Sequence, residues 1–192
     1  MKIGIYTGSF DPFHNGHIKI VKTILDKKIV DKVFIIPSAD YWNKKINLSF
    51  EDRAELIERS LKNKNDKKKY KVDGELGKYP YTYQVFRRLK KLYPNDEFYL
   101  IMGGDNIVNF DKWRHYKELT KHGFIVVDRN IDNIEEKIKE LKPREYYLLN
   151  IKGIGDISST AIRENIEDYE KIKKMINKRE YNYVYKKLKG ED

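Results

Sequence analysis

A chain of 192 residues with 40% apolar side chains and 15 tyrosines holds enough hydrophobic material for one domain with a real core, which excludes a disordered polymer despite 36% charged residues. The absence of cysteine rules out disulfides and thiolate metal sites. No apolar run approaches the ~20 residues that span a bilayer, and MKIGIYTGSF reaches glycine too early for a signal peptide, so a soluble, cytoplasmic protein is expected. The formal charge of +10 attracts polyanions, but the lysines are scattered outside KNKNDKKKYK, and such a block is usually a solvated loop; charge alone selects no partner.

In chain order, residues 3–7 read as a buried strand, and Ile18, Val21 and Leu25 then recur at helical spacing. Residues 33–37 form a second strand, followed by a helix through Ala54, Ile57 and Leu61 and a weaker strand at residues 70–72. A helix through Val85, Phe86, Leu89 and Leu92 leads to a strand at 98–102. Strands at 124–127 and 146–150 flank a helix through Ile134, Ile138 and Leu141. Strand and helix alternating in this way predict a doubly wound, Rossmann-like α/β fold, a parallel sheet with helices on both faces. With no repeat, Pro-rich linker or composition break, residues 1–192 form one expected domain, on which a mainly helical, lysine-rich region at 162–192 packs. Ligands in such folds bind beyond the carboxyl ends of the strands, where strand order reverses. IGIYTGSFD and FYLIMGGDN each release glycine and then aspartate. If the two strands are neighbours, Gly8, Asp11, Gly103, Gly104 and Asp105 share one crevice.

The stretch GSFDPFHNGH admits three uses. As a zinc site, His14 and His17 would share a helix face, but nothing nearby supplies a third ligand; His115 and His122 sit in ordinary polar surroundings. As a plain strand-to-helix turn, Gly8 would permit a strained backbone, Asp11-Pro12 would end the strand and Asn15 would cap the helix, with the two histidines unexplained. As a phosphate site, every residue is used. Gly8 lets the backbone approach an anion, a helix starting near Gly16 aims its N–H groups and positive end at it, and protonated imidazoles donate to phosphate oxygens. The stretch is neither the dinucleotide glycine fingerprint nor a Walker loop.

GSFDPFHNGH resembles the signature G-x-F-D-P-x-H-x-G-H of the nucleotidylyltransferase superfamily, and DISSTAIREN resembles its later I-S-S-T-x-I-R block. The segment YTYQVFRRLKKLYPNDEFYLIMGGDNIVNFDKWRHYKEL is similar to one branch, the bacterial nicotinate-nucleotide adenylyltransferases. Sister branches match less well. Pantetheine-phosphate adenylyltransferases usually carry Thr in place of His14, cytidylyltransferases lack the Asp-Pro pair and the Trp113 segment, and archaeal-type enzymes open with G-R-F-Q-P.

The resemblance implies adenylyl transfer from ATP to nicotinate mononucleotide, giving nicotinate adenine dinucleotide and pyrophosphate in NAD biosynthesis. A phosphate monoester is mostly dianionic at neutral pH, its second pKa being about 6, so no general base is required. By motif position, His14, His17 and Arg163 are the implied catalytic residues, with His17 near the α-phosphate. Ser159 and Thr160 would meet the β- and γ-phosphates, and Gly8, Ser9, Phe10 and Asp105 would complete the ATP site. Lys44, Thr82, Gly104, Asp105 and Trp113 would hold nicotinate mononucleotide, with Trp113 stacking on the ring and main-chain N–H groups near it meeting the carboxylate. Mg²⁺ would arrive with ATP, without dedicated protein ligands. The bland counterparts are a plain helix start at SSTAIR and a core role for Trp113. Two places depart from the branch: Asn43 stands for its histidine, and Gln84 and Val85 stand for an acid and a threonine. The alternatives are an adenylyltransferase for nicotinamide mononucleotide or phosphopantetheine, and a non-catalytic nucleic-acid-binding module. Neither nucleic acid nor membrane is an expected partner, and self-association is left open.

Overall fold

The computed structural model describes residues 1–39, 46–62, 69–128 and 130–191. Its frame is a six-stranded sheet built from β1 (Lys2–Gly8), β2 (Lys32–Pro37), β3 (Tyr70–Val72), β4 (Glu97–Gly103), β5 (Gly123–Asp128) and β6 (Glu145–Asn150). Every neighbouring pair is parallel, and the order is β3-β2-β1-β4-β5-β6. This is the Rossmann order, whose direction of winding reverses between β1 and β4. The expected strands lie inside the observed ones to within a residue or so at each end.

The strands are apolar on both faces because both faces are covered. Tyr99, Ile101, Ile125 and Val127 face one core, which also receives Ile20, Val21 and Ile24 from α1 (Asn15–Asp26) and Leu56 and Ile57 from α2 (Phe50–Ser60). Phe98, Leu100, Met102, Phe124 and Val126 alternate with them and face the other core. That side is covered by α4 (Thr82–Leu92) and α7 (Ile134–Leu141); α3 (Gly74–Gly77) lies between β3 and α4 in the chain. Two short helices, α5 (Gly104–Val108) and α6 (Tyr116–Leu119), join β4 to β5. The short helices escape sequence reading because a turn or so carries no hydrophobic period.

Past β6 the chain forms α8 (Ser159–Glu164), α9 (Tyr169–Ile172) and α10 (Lys178–Lys189). Ile162, Ile172, Ile176, Tyr181 and Val184 enter the first core, and the Tyr183 hydroxyl lies 3.1 Å from an Asp52 oxygen and 3.0 Å from a Glu55 oxygen on α2. Among the described residues no helix is long and apolar enough to cross a membrane. Asn43, Lys44 and most of the basic stretch at 62–71 lie outside the described residues.

Candidate active site

The carboxyl ends of β1 and β4 open into a cleft of ≈ 330 Å³, at the point where the winding reverses. Gly8, Ser9, Phe10, Asp11 and His17 line it from one side, Gly103 and Asp105 from the next strand, and Ser159, Thr160 and Arg163 from α8, with Trp113 at its edge. The two sequence blocks therefore meet on one cavity.

The loop after β1 is built around an aromatic residue in an unusual conformation. Phe10 has φ 49, in the left-handed region that bulky residues avoid, yet it is buried at 4% exposure. Its ring meets those of Tyr6, Phe13 and His17 edge-on at 5.2, 5.4 and 5.0 Å. A Cβ on Gly8 would stand 2.9 Å from that ring. The expectation that Gly8 supplies the strained backbone is corrected on this point: the strain sits at Phe10, and Gly8 makes room for its ring.

Helix α1 starts one residue earlier than expected. His14, in extended backbone, is its N-cap, and Asn15 is its first residue rather than its cap. Asn15 instead ties α1 to the chain before α10, donating from its backbone N to Met175 O at 2.8 Å and from Nδ2 to Lys174 O at 3.1 Å. The His14 backbone N–H donates to His17 Nδ1 at 3.3 Å, so the His17 ring carries its proton on Nε2. The rings of His14 and His17 stack at 3.7 Å, and Phe13 stacks on His17 at 5.0 Å. His14 is buried at 3% exposure, beneath His17, and His17 is the member of the pair that lines the cleft.

On α8 the cap is Ser158, whose side chain accepts from Ala161 N at 3.1 Å. Ser159 donates its hydroxyl to Pro12 O at 2.9 Å, across 147 residues of sequence. That hydrogen bond fastens the two blocks together. Thr160 and the α8 start still face the cleft. Arg163 donates through Nη1 to Asp11 O, and its Nη2 reaches Thr160 Oγ1 at 3.3 Å.

Asn47 and Arg53, which sequence reasoning passed over, hold this loop from behind. The Asp11 carboxylate accepts from Asn47 N and Nδ2, both at 2.9 Å, and from Leu48 N at 3.0 Å. Arg53, with 0% exposure, donates from Nε to Leu48 O at 3.3 Å and from Nη1 to Ser9 O and Ser38 O, both at 2.7 Å. One guanidinium thereby joins the ends of β1 and β2 to the start of α2. The signal was present in the sequence: Arg53 lies three and four residues before Leu56 and Ile57, on the buried stripe of the helix. The end of β2 is also pressed against α3, where a Cβ on Gly77 would stand 2.1 Å from Pro37 O.

A second recess of ≈ 370 Å³ adjoins the cleft at Trp113, which lines both. Pro80, Tyr81, Thr82, Lys112 and Arg114 form the rest of it, so Thr82 and Trp113 come together as expected. Trp113 is only partly buried, packed on Phe110 at 5.0 Å, and is not a core residue. The departures at 84–85 have local explanations. Gln84 Oε1 accepts from Tyr81 N at 3.3 Å at the start of α4, and Val85 is buried in the second core. Asp105 is exposed at the cleft, whereas a Cβ on Gly104 would meet Ile134 at 3.0 Å and Ile131 at 3.2 Å. Lys44 lies outside the described residues. Among the described residues there is no group of three or more His, Cys, Asp or Glu that could hold a metal ion.

Residues 5–165 match the family described as cytidylyltransferase-like. The chain is 38% identical to a "probable nicotinate-nucleotide adenylyltransferase" of Fusobacterium nucleatum, over 93% of this chain and 94% of that protein. A similarly named protein of Endomicrobium trichonymphae is 31% identical, over 95% of each chain. The solved structure of Plasmodium falciparum nicotinic acid mononucleotide adenylyltransferase complexed with NaAD superimposes with a TM-score of 0.83 at 28% identity, covering 96% of this chain and 95% of that one.

Proposed function

The chain belongs to the nicotinate-nucleotide adenylyltransferases of the cytidylyltransferase-like group, and from that premise we propose that its cleft joins ATP to nicotinate mononucleotide, with the residue roles that follow. An oxygen of the mononucleotide 5′-phosphate attacks the α-phosphorus, the bond to the bridging β-oxygen breaks, and pyrophosphate leaves. The product is nicotinate adenine dinucleotide.

The observation that carries this reading is the convergence of the two blocks on one cavity, fastened by Ser159 to Pro12 and Arg163 to Asp11. The attacking phosphate needs no base, so the protein's task is to bring polyanions together in line and to stabilise the charge that builds on the leaving group. His17 offers Nε2–H, with its other nitrogen held by the His14 backbone. Arg163 supplies the guanidinium, and Thr160 a hydroxyl beside the first amides of α8. Trp113 and Thr82 hold the pyridine ring in the adjoining recess, and Asp105 faces ribose hydroxyls from the end of β4. Mg²⁺ would arrive with ATP and would offset the charge of its phosphates. A cytoplasmic enzyme working on soluble nucleotides fits these features.

The test is pyrophosphate release from ATP, Mg²⁺ and nicotinate mononucleotide. In His17→Asn the amide oxygen can still accept from His14 N–H, while the Nε2 donor is lost. Its kcat should fall by about 10²–10³-fold with the melting temperature nearly kept. A wild-type kcat would remove His17 from the mechanism, and turnover on phosphopantetheine alone would move the chain to a sister branch.

A further inference from the structure

We propose that Arg114, held in place by Tyr81, selects an acceptor whose ring bears a carboxylate over one bearing the neutral amide; this rests on the adenylyl-transfer reading above. The recess containing Trp113 and Thr82 has two cations on its wall, Lys112 and Arg114. Lys112 is turned to Asn109, with its Nζ 2.9 Å from Oδ1. Arg114 donates from Nη1 to the Tyr81 hydroxyl at 2.8 Å, and its guanidinium carbon stands 4.8 Å from the centre of that ring. Among the described residues no carboxylate pairs with it. Other exposed arginines are paired: Arg87 forks onto Glu118, and Arg144, at the opposite end of the sheet, reaches Glu97 and Glu145.

Tyr81 thus orients a planar fork and leaves most of its N–H donors unused beside the indole. A guanidinium matches a carboxylate in geometry and charge and can bond it through two parallel N–H groups. A carboxamide presents one oxygen and an NH₂, whose hydrogens meet the donors of the fork head-on, so the same group that attracts the acid rejects the amide. The position fits the substrate's two ends, because Trp113 joins the recess to the phosphate cleft. Main-chain N–H groups near Trp113, expected from sequence to meet the carboxylate, carry no full charge and discriminate less.

Arg114 is exposed, so replacing it leaves folding nearly untouched. The experiment measures kcat/KM for nicotinate and nicotinamide mononucleotides in the wild type, Arg114→Gln, Arg114→Lys and Tyr81→Phe. Losing a charge-assisted bond should lower the acid-to-amide ratio about tenfold to hundredfold in Arg114→Gln, through KM for the acid, with KM for ATP unchanged. Arg114→Lys should recover part of the ratio. Tyr81→Phe keeps the ring but frees the fork, and should fall in between. An unchanged ratio in folded Arg114→Gln, with the wild type active on nicotinate mononucleotide, overturns the role of Arg114 alone. A wild type inactive on both mononucleotides overturns the reaction as well.

Discussion

Replacing Arg53 with Met keeps an unbranched apolar stem, shortens the side chain and removes all its donors. Three backbone oxygens would lose a donor from a guanidinium without exposure, Leu48 in a buried hydrogen bond and Ser9 and Ser38 in partly buried ones. Each buried acceptor left unsatisfied costs about 1–3 kcal/mol, and relieving the burial of a charge offsets part of the sum. A net loss of about 3–5 kcal/mol is expected. For a chain of this size that lowers the melting temperature by roughly 6–20 °C, at about 2–4 °C per kcal/mol. Ser9 leads directly into Phe10, so kcat should also fall, by about tenfold, at temperatures where the variant is folded. Arg53→Lys retains the charge but lacks the fork and should lie between the two. Urea titration followed by circular dichroism gives the stability, and pyrophosphate release at low temperature gives the rate. If Arg53→Met unfolds within about 1 kcal/mol of wild type and turns over normally, the buried guanidinium is not what holds the loop.

Gly77→Ala places a methyl against Pro37 O; the end of β2 has to shift, and a loss of about 3 kcal/mol in urea is expected, with wild-type stability disproving the close approach. The His122 imidazole is driven down to about 4 from 6.5, first by burial and then by the positive charges of Arg144 and Lys90. The unfolded chain therefore binds a proton that the folded one refuses, and stability present above pH 6.5 is lost as pH falls toward 4. The shift would be at most about 3 kcal/mol, and solvent reaching the ring trims this to roughly 1–2 kcal/mol. His122→Phe should flatten unfolding midpoints measured between pH 7 and 4; an equal slope in both proteins would rule the residue out.

What sequence could show depended on how much of a residue's role is local. The strands were legible because a run buried on both faces is apolar at every position, and the long helices because their stripes repeat. Both halves of the cleft's polar lining were legible as motifs, since glycine, histidine and hydroxyl residues at a helix start suit an anion. What sequence did not show is facing. Gly104 follows a cleft residue in sequence, and isoleucines crowd the side where a Cβ would stand. Ser159 and Ser158 differ by one step around a helix, and that step exchanges capping for cross-linking. Phe10 breaks the rule that bulky residues avoid positive φ, so the rule assigned its strain to Gly8. Arg53 and Arg114 act through partners that only tertiary structure supplies, such as the Tyr81 hydroxyl, 33 residues away from Arg114.

The bonds from Asn15 to Met175 and Lys174 also bear on how the molecule is made. Translation delivers the histidine loop early and the stretch that anchors it late. The early strands can pair before that stretch is made, but the tether between the start of α1 and the segment before α10 closes only once residues 174 and 175 fold back onto Asn15, so the last hydrogen bonds at the mouth of α1 are supplied by the far end of the fold.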